Sequence, residues 1–161
     1  MNILFVINNP LSNRQIYDKY ISLKEGFKGC NYHFLLTPLI TDLTRAVADK
    51  PNIIHFIGDN TNEGVTVTNN ENKPQVITTT ILLRLLKSDG LQLVMLEGCY
   101  TKEQAQAISN LGIYVVGEGS DKDYVNLHKD IHITNSIATS IATIVNNTTL
   151  SVWKDGVEIN I

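Results

Sequence analysis

One α/β domain, built on a mostly parallel sheet with helices on both faces, is the fold this sequence predicts. Three observations carry that expectation. Four apolar runs, at residues 3–7, 52–58, 91–96 and 113–116, are nearly continuous instead of alternating, the mark of strands covered on both sides. Segments with apolar residues at helical spacing lie between them, and strands alternating with helices along a whole chain give parallel pairing. The chain has 161 residues, 43% hydrophobic and 18% charged, which suits a single domain over residues 1–161 with a substantial core.

The elements follow in order. Residues 3–7 form a first strand, stopped by Asn8-Asn9-Pro10. Ile16, Tyr20, Leu23 and Phe27 then recur at helical spacing, with Ser12 as cap and Gly26 and Gly29 at the end. Residues 32–36 are a second strand, with Cys30 in the turn before it. Thr41 or Asp42 opens a short helix that turns Leu43 and Val47 inward and stops at Lys50-Pro51. The third strand, 52–58, is followed by a loop with no apolar residue, 59–64. Val65 and Val67 alternate with Thr66 and Thr68, Asn69 to Asn72 is a turn, and residues 75–77 return, which predicts a small exposed hairpin. Thr78 or Thr79 caps a helix through Ile81, Leu82, Leu85 and Leu86. After the strand at 91–96, Thr101 caps a helix in a capping box closed by Gln104. Gly112 ends it, and 113–116 is a fifth core strand. Ile133, Ile137, Ile141 and Ile144 step by four and three, which predicts one long amphipathic helix. Residues 148–153 and 157–161 close the chain as a hairpin around Lys154-Asp155-Gly156.

Bulk properties narrow the partners. Net charge is −3 with no basic run, which argues against nucleic acid. No apolar stretch reaches the roughly 20 residues of a membrane span. The first residues read as a strand and not as a signal peptide, and two cysteines, Cys30 and Cys99, make no disulfide framework, so the cytoplasm is the expected compartment.

Chemistry is expected where the strand at 91–96 stops at Gly98, presents Cys99 and turns into the Thr101 helix. The carboxyl end of a parallel strand, just before a helix N-terminus, is where ligands collect in such sheets, and the positive end of a helix lowers a thiol's pKa. The third strand ends in the same way, with Gly58-Asp59. If the two strands are neighbours, Glu97, Gly98 and Gly58 line one rim with Cys99 and Asp59. His55 lies inside an apolar strand and reads as a core histidine, although it shares strand parity with Asp59. His128 and His132, four apart, are read as a solvated helix face instead of a metal pair. Asn8-Asn9-Pro10 lacks the glycines of a phosphate loop, and Gly117-Glu118-Gly119 is too short and too acidic for a dinucleotide fingerprint. No metal and no cofactor is expected.

Ile54-His-Phe-Ile-Gly-Asp59 and the run from Leu93 through Cys99-Tyr-Thr to Ile108 resemble the two signature strands of caspase-like CHAT domains, a prokaryotic branch of the caspase and separase clan. Tyr114-Val-Val-Gly117 and Asn8-Asn9-Pro10 are similar to further family patterns, and the likeness covers residues 1–118. It implies a caspase-like three-layer sandwich and places Cys99 at the nucleophile position. The family's base histidine falls on Asp59, and the family's first, strand-internal histidine on His55. The residue before the glycine and cysteine, an amide in the family, is Glu97. The part after residue 118 is shortened against the family. An aspartate, with an ordinary pKa near 3.9, is a weak base at neutral pH, and as an anion it opposes a thiolate. The resemblance therefore implies a degenerate peptidase that serves as a protein-binding or regulatory module in prokaryotic signalling or defence. One alternative is an active cysteine endopeptidase with Cys99 as nucleophile and His55, a histidine of the 128–132 segment or a partner's group as base. Another is a small-molecule sensor using the rim as a pocket. A protein partner is expected, and the oligomeric state is open.

Overall fold

The computed structural model describes residues 1–8, 18, 20–21, 29–58, 61–98 and 100–159. They form a seven-stranded sheet in the order β2-β1-β3-β6-β7-β8-β9 and a separate two-stranded hairpin, β4-β5. The strands are β1 Asn2–Asn8, β2 Asn31–Leu36, β3 Ile53–Gly58, β4 Gly64–Thr68, β5 Pro74–Thr78, β6 Leu93–Gly98, β7 Tyr114–Gly117, β8 Ser151–Lys154 and β9 Val157–Glu158. β2, β1, β3, β6 and β7 run parallel, and β8 and β9 add antiparallel at one edge. The helices are α1 Ile40–Ala48, α2 Thr79–Leu85, α3 Lys102–Ser109, α4 Asp121–Thr134 and α5 Ile137–Ile144.

The molecule is three layers thick, as the apolar runs require. Strand alternation divides β1 between the two faces: Leu4 and Val6 join Ile54, Phe56, Val94 and Leu96 under α1, α2, α3 and the hairpin. Ile3, Phe5 and Ile7 join Ile53, Ile57, Leu93 and Met95 under α4, α5 and Tyr20. Tyr20 belongs to a short helical stretch with Asp18 and Ile21. The rest of the helix expected after Asn8, including Ser12, Ile16, Leu23 and Phe27, lies outside the described residues.

Local signals act where they were read. Leu43 and Val47 of α1 are buried. Asp42 does not open that helix but stands in its first turn, where its carboxylate accepts from the Leu39 amide at 3.1 Å. Thr101 Oγ1 accepts from the Gln104 amide at 3.1 Å, and Gln104 Oε1 accepts from the Thr101 amide at 2.8 Å, so the expected capping box is complete. The closing hairpin turns on Asp155 and Gly156, both at positive φ.

Two expectations need correction. The hairpin after β3 is exposed at its turn and along the first half of β5, while Val65, Thr66 and Val67 of β4 and Ile77 of β5 are buried, because α2 and the sheet face cover them. The isoleucine series does not lie on one helix. α4 ends at Thr134, Asn135 takes the left-handed conformation at φ 51°, and α5 starts afresh at Ile137. Ile133 is 75% exposed, while Ile137, Ile141 and Ile144 are buried. The face that α4 buries is Tyr124, Leu127, His128 and Ile131.

Candidate functional site

Register brings the strand tips together. β3 and β6 are parallel neighbours, with Ile57 opposite Glu97 and Gly58 opposite Gly98, and on the other side Asn8 of β1 stands opposite Gly58. Gly58 and Gly98 have φ of 129° and 128°, a backbone region that side chains rarely enter. A Cβ placed on Gly98 would lie 2.2 Å from the Gly58 carbonyl oxygen. Both glycines are therefore needed for the strands to finish this close together. Asn8, 8% exposed, donates from Nδ2 to the Thr66 carbonyl at 2.8 Å and ties the β1 tip to the hairpin. Beyond β3, the Gln104 amide donates to the carbonyls of Asn62 at 2.9 Å and Thr61 at 3.3 Å, so the start of α3 holds the loop that leaves the rim.

Cys99 and Asp59 follow the two tips in sequence and lie outside the described residues. Glu97, His55, Gly58 and Gly98 lie inside them. Glu97 and His55 are on the same face of the sheet, and Glu97 turns inward. Its Oε2 accepts from the Tyr20 hydroxyl at 2.7 Å and stands 3.1 Å from His55 Nε2. Burial, with Glu97 alongside, pushes the Tyr20 phenol above its ordinary pKa, so it remains a donor. His55 is fully buried, and its Nδ1 lies 3.1 Å from His128 Nε2. His55 thus presents Nε2 to the carboxylate and Nδ1 to the second imidazole. Phe5 packs against all of this, with ring centroids 4.8 Å from Tyr20, 5.5 Å from His55 and 5.1 Å from His128. Tyr124, on the same helix as His128, donates to the Leu96 carbonyl at 2.7 Å.

No protein-family model matches the chain, and no curated protein matches it.

The sequence reading of His55 as a core histidine agrees with its full burial between Glu97 and His128. The reading of His128 and His132 as a solvated face does not. His128 is fully buried on His55, and His132 reaches back to the amino edge of the sheet, where it meets Cys30 and Tyr32. The signal for His128 was present as the spacing 124, 127, 128, 131, which is one helical face. A histidine within that face disguised it as polar. Tyr100, the residue after Cys99, was not singled out. Its hydroxyl is buried without a hydrogen-bond partner among the described residues and lies against Gly117, where a side chain would collide with it. Among the described residues no helix is long and apolar enough to cross a membrane.

Proposed function

We propose that this chain is a caspase-like domain without peptidase activity that binds or regulates a protein partner at the rim where β3 and β6 end. The observation that carries the reading is the register of Gly58 against Gly98, which sets side by side the two points from which Asp59 and Cys99 follow. The resemblance needs a base and a sulfur on adjacent parallel strands, and a sheet with these strands on opposite edges would have removed it.

The absence of activity follows from charge. A carboxylate at position 59 is a poor proton acceptor at neutral pH and raises the pKa of a thiol beside it. The His55 ring is fully buried, 3.1 Å from both Glu97 and His128, which favours a structural role over that of a base at the rim.

Alkylation of Cys99 across pH, in a Cys30→Ser background, tests the inactive state. The thiol is expected to titrate at or above about 8.5, as an unassisted thiol does. Titration well below that value, or peptide cleavage abolished by Cys99→Ala, overturns the reading in favour of the active endopeptidase. Capture of a partner from the native host by the wild-type chain, lost on Glu63→Arg beside the rim, supports docking there; equal capture by both chains overturns it.

A further inference from the structure

At the opposite, amino end of the sheet the second cysteine of the chain, Cys30, has an imidazole beside it. Cys30 is a free cysteine, half-buried, immediately before β2. Its sulfur lies 3.1 Å from His132 Nδ1, in the last turn of α4. The other ring nitrogen of His132, Nε2, meets the Tyr32 hydroxyl. A thiol, an imidazole on it and a third group orienting that imidazole is the arrangement that activates nucleophiles. We propose that Cys30 is a thiol–disulfide exchange site for low-molecular-weight disulfides, with His132 as its base and Tyr32 as the group that orients His132.

The hydrogens can be placed from the chemistry of the three groups. Sulfur is a poor acceptor and the thiol proton needs one, so the arrangement that uses both ring nitrogens sets the Nδ1 lone pair toward S–H and Nε2–H toward the phenol oxygen. Burial keeps every member neutral at rest: it pushes the Cys30 thiol and the Tyr32 phenol up and the His132 imidazole down. The Met1 ammonium, which donates to the Gly29 carbonyl at 3.5 Å, is the charge that acts on both Cys30 and His132, and it draws both of them down.

The step balances without a further reagent. As Sγ attacks one sulfur of the disulfide R–S–S–R, its proton passes to His132 Nδ1. A new Cys30–S–S–R bond forms, the R–S–S–R bond breaks, and the departing thiolate takes the proton from His132 as R–SH when it is an alkyl thiol, whereas an acidic aryl thiolate leaves ionised and His132 gives the proton to water. Cys30 is oxidised and one R–S group is reduced. A seven-residue strand such as β1 spans about 23 Å, so this site is separated from the rim by the height of the sheet.

The test uses the full chain in a Cys99→Ser background, where Cys30 is the remaining thiol, with 5,5′-dithiobis(2-nitrobenzoate) as probe and oxidised glutathione as a second disulfide. The expected rate rises through the His132 titration below pH 6.5 and is nearly level from pH 7 to 8. His132→Gln is expected to lower it at least tenfold at pH 7 and to restore the steep alkaline rise of an unassisted thiol. Tyr32→Phe, which keeps the ring packing, is expected to lower it about threefold. Equal rates with and without His132, or a parent profile that climbs steadily into the alkaline range, overturns the proposal. So does the absence of a mixed disulfide with glutathione on the folded chain. If His132→Gln does not fold, the profile of the parent decides.

Discussion

Replacing Gly98 by alanine is the most direct test of how the rim is built. Two separate costs follow from the geometry. The backbone stands at φ 128°, and the new Cβ would lie 2.2 Å from the Gly58 carbonyl oxygen, against 3.4–4 Å for ordinary contact. Holding a side chain in a region reserved for glycine costs about 1–3 kcal/mol. Relieving the collision moves backbone, not a flexible side-chain end, at a further cost of about 1–3 kcal/mol on the scale of overpacked cores. Gly98→Ala should therefore lose roughly 2–6 kcal/mol, which for a chain of this size lowers Tm by very roughly 5–20 °C. Two controls separate the terms. Gly112, at φ 79° with nothing within 4 Å of an added Cβ, carries the backbone cost alone. Gly64 has no positive φ, but its added Cβ would sit 1.8 Å from the Ile77 carbonyl oxygen, so it carries the collision alone. Urea and thermal unfolding followed by circular dichroism give the three losses. A Gly98→Ala loss no larger than that of Gly112→Ala would mean that the two strand tips do not meet as described, and the reasoning about the rim would fail with it.

Glu97→Ala removes the acceptor of the Tyr20 hydroxyl and the carboxylate beside a buried imidazole, and should destabilise the fold by about 1–3 kcal/mol, measured by urea unfolding, with Glu97→Gln costing less because it keeps the shape. Thr101→Ala removes a helix cap and should cost about 1 kcal/mol; Gln104→Ala also frees the Thr61 and Asn62 carbonyls, and should speed hydrogen exchange or proteolytic nicking of the loop after β3. His132 gives a pH signature of definite sign. Its folded-state pKa lies below the ordinary 6.5 because burial disfavours the cation, so the unfolded chain takes the proton first. Its contribution is complete above pH 6.5 and is lost as pH falls below that value, until the folded chain also takes the proton. The urea midpoint of the wild type minus that of His132→Gln should shrink between pH 7 and 5.5; a difference that stays constant or grows would refute this.

Much of the fold was legible because it was specified locally. Continuous apolar runs identified β1, β3, β6 and β7 as doubly covered strands, and Thr101 with Gln104 marked the start of α3 by a pairing that needs no distant partner. The break between α4 and α5 was hidden because Ile133, Ile137 and Ile141 keep helical spacing across it, and Asn135 is as acceptable inside a short polar stretch as in the left-handed cap that it forms. The hairpin looked exposed because its threonines alternate with valines, while the burial of β4 depends on α2 and α3 arriving from later in the chain. The rim was legible as two glycines at strand ends, since their neighbourhood follows from strand order. The chain of Glu97, His55 and His128 was not. It joins residues 42 and 73 positions apart, and each of these side chains taken alone reads as an ordinary polar residue.

Tyr124, His128 and His132 recur every four residues along α4, and the three side chains bond to different parts of the protein: the Leu96 carbonyl, His55, and the Cys30–Tyr32 pair. A 14-residue helix is about 21 Å long, comparable to the strand height of the sheet. One rigid rod is thus pinned polar-to-polar at the top, the middle and the bottom of the same layer. Energies measured by substituting any of these pins will not sum, because each change alters the seating of the rod on which the others depend. Only double-mutant cycles that pair His55 with His128, and His128 with His132, will apportion them.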